Sequence, residues 1–491
     1  VFCLYNIYFQ GRITMIKPAQ WKTRFNFLTE ADLKALHAAS LQIMERTGLV
    51  MPLSPARQAQ ARDLGLKVND HRLYFPPHVV EQAVKQAPRH YTLYARNPQN
   101  DLPLDGRHGY LSLDGSGTDV LDLTTGQVRP STKADLQAAL RLADALPQIA
   151  FLWPTVSAQD YPEQVQPLHE LEAMLTHSAK HAQAMTAVTP LAARGSVAMA
   201  AEVAGGRESL RQRPIISNFQ CSVSPLSYDA PGLEAAFIFA EAGIPTGFLN
   251  MTIGCGTAPA TLAGNAAMAN AEVLAGITLL QLFYPGAPTF YGTSATVMEL
   301  RRGGVTCGGP EDFLLQAAGC QLAHFYNVPA SIGTFATGAK CSGWQAGLEN
   351  GLSGVINHFT NADLMSGAGL LNAAKIFSFE QLVLDCEIFD MLRAVSRGFE
   401  INADTLALDV INAVGPQNHF MTTDHTFEHM VGLWQPTVLD RTPWEEWEQR
   451  GRPSAADHAR ARARDLLAGH EPEPLPCAGV LREIIAEYER P

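Results

Sequence analysis

Between Gly109 and Gly367 the sequence repeats one pattern eight times: a short apolar run, then a stretch with helical spacing. The runs are GYLSL (109–113), AFLWP (150–154), AQAMTAV (182–188), PIISNF (214–219), PTGFLN (245–250), PTFYG (288–292), ASIGTF (330–335) and ADLMSG (362–367). Each is bounded by turn residues and followed by a segment such as KADLQAALRLADAL or LAGNAAMANAEVLAGITLLQLF. Strands that are apolar throughout suit a parallel sheet covered on both faces, and each parallel neighbour needs a crossover helix. Eight such units at about 30 to 45 residues each are the pattern of a closed (β/α)8 TIM barrel. An open doubly wound sheet is the alternative, but the strand count favours closure and no G-x-G-x-x-G opens the first helix.

The expected architecture is therefore α/β: a barrel over residues 109–400, an N-terminal α/β cap over 15–108 and a C-terminal helical extension over 401–491. In the cap, Thr29 and Asp32 form a capping-box start for a helix that stops at Gly48, and Pro76-Pro77 open a second helix. Residues 1–14 include LYNIYFQG, which resembles a protease-cleavage linker, so they are set aside as an expression tail with Met15 as the native start.

Composition narrows the function classes. With 491 residues and 46% hydrophobic content the chain can bury a large core. The net charge of −12 and the lack of a Lys/Arg-rich block argue against a nucleic-acid partner. Eight cysteines without a C-x-x-C read as reduced thiols of a cytoplasmic protein. The longest apolar run, Val273 to Tyr284, is too short for a bilayer, so no membrane segment is expected.

In a barrel of this kind the chemistry sits at the C-terminal strand ends and the loops after them. Asp114, Thr155, Gln220, Asn250, Thr293 and Thr334 stand at such ends. Lys340, in the loop after the seventh run, is open to three readings: a Schiff-base nucleophile, a charge that orients an anionic group, or a solvated loop lysine. Glu299 either holds a cation in the pocket or pairs with Arg301 or Arg302. Cys320 and His324 have metal-ligand spacing on a helix, but two residues make no site. His419, His425 and His429 with Asp424 could ligate zinc, although their place beyond the eighth unit favours a loop-and-helix role at the rim or against a neighbouring subunit; no metal is expected. Trp153, Phe219, Phe248, Tyr291, Phe335 and Trp344 are core residues by default, yet any that faces a pocket would suit a quaternary ammonium group.

Several long stretches, in order, carry a resemblance: LHAASLQIMERTGL, YTLYARNPQNDLPL, VLDLTTGQVRPSTKADL, ELRRGGVTCGGPEDFLLQAAGCQLAHFYNVP, GAKCSGWQAGLE, SFEQLVLDCEIFDML, NHFMTTDHTFEHM and HEPEPL. Together they resemble the trimethylamine methyltransferase family, in its larger branch without pyrrolysine, which includes glycine betaine:corrinoid methyltransferases. The resemblance implies a homo-oligomeric TIM-barrel enzyme that takes a methyl group from a quaternary amine and passes it to Co(I) of a separate corrinoid protein. It implies no tightly bound cofactor. Trimethylamine-specific members use a pyrrolysine near the seventh strand, and none stands here, which points to a betaine-type substrate. A cobalamin-binding Asp-x-His-x-x-Gly is broken by Phe427 ahead of His429 and Gly432, so the corrinoid belongs to a partner.

The loop after the seventh strand departs from the family's Asp-Ala-Lys and Pro-Asp-x-Gln-Ala-Gly: Gly338 and Gly343 stand where carboxylates are usual, while Lys340, Gln345 and Gly347 stay in step. With the resemblance, the expected site has Glu299 and Lys340 as catalytic residues and Gln220, Asn250, Tyr291, Phe335, Trp344 and Gln345 around the substrate. Lys340 would pair with a betaine carboxylate. Other acceptors such as tetrahydrofolate, a non-catalytic amine-binding role and a Lys340 Schiff-base lyase remain as alternatives.

Overall fold

The structure, a computed structural model, describes residues 15–489. The expected expression tail, 1–14, lies outside them. The eight apolar runs all become parallel strands: β1 (His108–Leu113), β2 (Ile149–Leu152), β3 (His181–Gln183), β4 (Ile216–Cys221), β5 (Thr246–Asn250), β6 (Tyr291–Thr293), β7 (Ala330–Gly333) and β8 (Leu364–Ala368). Each pairs with the next, and β8 closes onto β1 with Leu364 opposite Tyr110 and Met365 opposite Leu111. The barrel is closed, as the strand count requires.

One long helix follows each strand: α1 (Lys133–Ala145), α2 (Gln166–His177), α3 (Pro190–Ala204), α4 (Ala230–Glu241), α5 (Leu262–Phe283), α6 (Pro310–Phe325), α7 (Trp344–Phe359) and α8 (Phe379–Arg397). Their starts are written in the sequence. Thr132 and Asp135 form a reciprocal capping box at α1, and the side chains of Thr189, Asp229 and Ser378 cap α3, α4 and α8.

Helix α5 is longer than the apolar run read from Val273 onward, because its first half is built of Ala, Met and Asn that are buried as fully as the Leu and Ile of its second half. By length and hydropathy it could cross a membrane; 94% of its apolar window is covered by the rest of the chain. Gly276 sits in that helix because Phe248 of β5 fills the space: a Cβ there would lie 2.3 Å from the ring. Burying a phenyl ring of this kind stabilises the fold by roughly 1.5–3 kcal/mol.

Inside the barrel, side chains from alternate strands meet across the axis. Trp153 just beyond β2 packs on Phe219 of β4 at 5.1 Å between ring centroids, and Phe219 meets Phe290, just before β6, at 6.3 Å. Gly247 of β5 leaves the room for Phe290, whose ring would come within 2.2 Å of any Cβ at 247. These contacts fill the interior, as expected of a packed barrel.

Two small sheets build the rim. One joins Asp119–Leu121 and Val128–Pro130 from the β1 loop to Leu370–Leu371 and Ile376–Ser378 after β8. The other joins Ile253–Gly254 after β5 to Thr296–Glu299 and Gly304–Val305 after β6.

At the N-terminus, helix Glu30–Gln42 starts with the Thr29–Asp32 capping box and its continuation ends at Gly48, whose φ is +68°. At the C-terminus, Ala455–Gly469 packs on α8 and α1, and Ala478–Tyr488 packs on α3 and α2. The buried faces of these last two helices pack on the chain's own barrel. By contrast, the short helices Ala403–Leu406, Leu408–Val414 and Asp424–His429 bury no residue.

Candidate functional site

The mouth of the barrel has two chemically different sides. On the β6–β7 side, polar groups satisfy one another. Asp312, at the start of α6, accepts hydrogen bonds from Thr296 Oγ1 at 2.6 Å, Thr306 Oγ1 at 3.1 Å and Gly309 N–H at 3.0 Å. Glu349 of α7 accepts from Thr337 Oγ1, from Gly338 N–H at 3.0 Å and from Gln345 Nε2 at 2.9 Å. The two loops are tied by Gly338 N–H donating to Cys307 O at 3.1 Å. Burial, with the nearby carboxylates Asp312, Asp114 and Glu349, pushes the Cys307 thiol up to about 12, so it stays protonated.

Half of the expected site residues lie in or near this framework. Glu299 ends a rim strand and its Oε1 accepts from Arg301 N–H at 3.0 Å, a turn contact. Lys340 is exposed, its Nζ donating to Gly338 O two residues back. Among the described residues no hydrogen bond or ion pair joins Glu299 to Lys340, so the two are not brought together as a pair. Trp344 opens α7 with 83% of its surface exposed, and Gln345 is exposed beside Glu349.

The other four belong to the wall between strands and helices. Gln220 reaches α4, where its Oε1 would lie 2.9 Å from a Cβ at Gly232. Asn250 accepts from Thr293 Oγ1 at 3.1 Å and donates to Gly292 O. Tyr291 stacks on Tyr326 at 6.4 Å, and Phe335 packs against Gly354 of α7. Gln220, Tyr291 and Phe335 thus contact the helix layer, into which strands covered on both faces send alternate residues.

Neither departure glycine is demanded by the backbone. A Cβ at Gly338 would meet only Cys307 O at 3.3 Å and Gln345 Nε2 at 3.7 Å, and one at Gly343 would meet nothing within 4 Å. A Cβ has open room at Gly343, whereas at Gly338 the Cys307 carbonyl would have to give by a few tenths of an ångström.

The β1–β3 side differs. Asp114, directly after β1, is half-buried, and its carboxylate accepts one hydrogen bond, from Gly115 N–H at 3.0 Å. Burial raises its pKa from the ordinary 3.8 to about 6, and no cation among the described residues opposes it. Behind it Asp385 of α8 is held by Asn350 Nδ2, Gln381 Nε2 and Gly369 N–H, each at 2.8 Å, and burial raises it to about 7. In sequence Asp114 stands out only as a strand-end position; its further signal is a lone acid followed by Gly-Ser-Gly, a turn that brings backbone close to the β2 and β3 loops.

The metal-spaced residues have structural partners. Cys320 Sγ donates to Thr360 O at 3.3 Å, and His324 sits between Arg24 and Asp363. The rings of His425 and His429 lie 4.2 Å apart, tilted by 38°, and His429 pairs with Asp404 at 3.5 Å. Among the described residues no group of three or more His, Cys, Asp or Glu side chains is arranged to hold a metal.

With this geometry in hand, comparison with known proteins is informative. A family model described as trimethylamine methyltransferase matches residues 11–489. A trimethylamine methyltransferase of Desulfitobacterium hafniense (strain DSM 10664 / DCB-2) is 33% identical over 475 residues, 94% of this chain and 93% of that protein. A glycine betaine methyltransferase of Desulfitobacterium hafniense (strain Y51) is 32% identical over 455 residues, 92% of this chain and 94% of that protein. Among solved structures, the monomethylamine methyltransferase of Methanosarcina barkeri superposes with a TM-score of 0.51 at 11% identity, covering 91% of this chain and 90% of that one, a likeness of fold.

Proposed function

The chain belongs to the trimethylamine methyltransferase family and is a methyltransferase, and from that premise we propose that it takes a methyl group from a betaine-type quaternary amine and passes it to a corrinoid carried by a separate protein. The observation that carries the substrate class is a sequence of standard residues throughout, in a chain that is 32% identical over 92% of its length to a glycine betaine methyltransferase.

The chemistry asks little acid–base work of the protein. A quaternary nitrogen already bears a full positive charge and departs as a neutral tertiary amine, so no proton has to be delivered to the leaving group. Co(I) of the partner supplies the nucleophile. This chain's part is to fix the methyl group in line, keep water out and hold the ammonium in place. The buried aromatic pair Trp153 and Phe219 supplies a dry floor for the mouth.

A resident corrinoid fits poorly here. Phe427, which interrupts the cobalamin pattern, is 60% exposed, and His429 is engaged with Asp404. That supports an acceptor carried by another protein. A cytoplasmic setting belongs to the same proposal, in keeping with seven described cysteines that are all free thiols.

The test is titration calorimetry of the purified protein with glycine betaine, proline betaine, carnitine, choline and trimethylamine, followed by product analysis with Co(I) cobalamin. The expected result is that a betaine binds and loses one methyl group while trimethylamine does not react. Turnover that requires a folate instead, or binding without turnover when a corrinoid partner is supplied, would overturn the proposed acceptor.

A further inference from the structure

Three backbone segments converge at the β1–β3 side of the mouth. Gly117 N–H donates to Thr155 O at 2.9 Å, and a Cβ at Gly115 would lie 2.6 Å from Met185 Sδ and 3.3 Å from Pro154 O. Residues 114–117, 153–155 and 183–185 are thus immediate neighbours. On these three neighbouring segments four buried side-chain atoms make no hydrogen bond among the described residues: Ser116 Oγ, Trp153 Nε1, Thr155 Oγ1 and Gln183 Oε1. Trp153 is 4% exposed, and Thr155 and Gln183 are fully buried.

Orphaned polar groups at such depth cost about 1–3 kcal/mol each unless something pairs with them. Gln183 is not free to turn away, since its Nε2 donates to Ser217 Oγ at 2.9 Å. Beside these groups stands Asp114, a carboxylate with one backbone donor and no described cation.

The set is sorted by chemistry. Asp114 and Gln183 Oε1 offer negative potential without needing a donated hydrogen, which is what a quaternary ammonium requires. Trp153 N–H and the hydroxyls of Ser116 and Thr155 are donors, which is what a carboxylate requires. We propose that this cluster, and not Glu299 with Lys340, is the substrate site: Asp114 faces the ammonium, and Trp153, Ser116 and Thr155 hold the carboxylate of a zwitterionic betaine. The inference rests on the functional reading above. The raised pKa of Asp114 agrees with it, since a cation is what the buried carboxylate lacks.

The kinetic signature follows from charge flow. As the methyl leaves, the positive charge on nitrogen disappears, so a carboxylate that attracts the ammonium stabilises the ground state more than the transition state. Removing that charge raises KM and leaves kcat undiminished.

The experiment titrates glycine betaine and choline, which lacks the carboxylate, into the full-length wild type and into Asp114→Asn, Trp153→Phe and Thr155→Val, each first checked by thermal melting. Expected are a loss of about 10- to 100-fold for both ligands in Asp114→Asn, and about tenfold for betaine but under about threefold for choline in the other two. Should Asp114→Asn melt early, Trp153→Phe carries the test by its betaine-to-choline ratio. A wild type that binds betaine alongside an Asp114→Asn that binds it equally well overturns the site alone. A wild type that binds no quaternary amine overturns the functional reading on which it rests.

Discussion

The two sides of the barrel mouth use the same kinds of residue to opposite ends. On the β6–β7 side, Asp312 and Glu349 each gather three donors, and Lys340 and Glu299 make contacts within two residues of themselves. That side is a self-contained framework. On the β1–β3 side, among the described residues, Asp114 has one donor, and four buried polar atoms on neighbouring segments have no partner. What separates a structural carboxylate from a binding one is how much hydrogen-bonding capacity is left over, and charge alone does not reveal it.

Several substitutions would break or sharpen that contrast. The largest effect is expected for Asp114→Asn: betaine affinity falls about 10- to 100-fold while kcat is retained, read from steady-state kinetics with Co(I) cobalamin. The same residue sets a pH dependence. Asp114 must be ionised to attract a cation, so choline binding strengthens as pH rises to about 6 and then levels, the quaternary nitrogen itself not titrating. Asp385, raised to about 7, and Cys307, raised to about 12, face the same region, with Lys340 and Glu349 near Cys307. Asp114→Asn should therefore remove the step near 6 and leave any step near 7; a profile identical to wild type would assign the titration elsewhere.

Trp153→Phe comes next, with about a tenfold loss confined to carboxylate-bearing ligands, since the ring survives and only the N–H is lost. Glu349→Ala should behave as a structural change, lowering stability by roughly 1–3 kcal/mol in denaturant unfolding with a small shift in affinity. A Glu349→Ala protein of unchanged stability and abolished binding would reverse the roles assigned to the two sides. The smallest effects are expected for Lys340→Ala and Gly338→Asp, within about threefold in betaine affinity, because Lys340 is solvated and its one contact is to a backbone carbonyl.

The eight strands and the helices between them were legible because each apolar run is closed by a turn and several of the helices, α1, α3, α4 and α8 among them, begin at a side-chain cap. Thr132 with Asp135 and Thr29 with Asp32 are written in the sequence as capping boxes and form as such. The rim sheets were not legible: strands of two to four residues carry no period. The placement of side chains was legible only in part. Asp114, Thr155 and Trp153 were all marked as strand-end or aromatic positions, but so were Gln220, Asn250 and Tyr291, which the structure turns to the wall. A parallel strand that is apolar on both faces gives no signal of which parity looks inward. Contacts across the axis, such as Trp153 on Phe219, supply it.

The most direct measurement is a crystal structure of the wild-type protein with glycine betaine bound. The account predicts the trimethylammonium group beside Asp114 and the carboxylate oxygens within hydrogen-bonding distance of Trp153 Nε1 and Thr155 Oγ1. A betaine found instead with its carboxylate on Lys340 and its ammonium on Glu299 would contradict it.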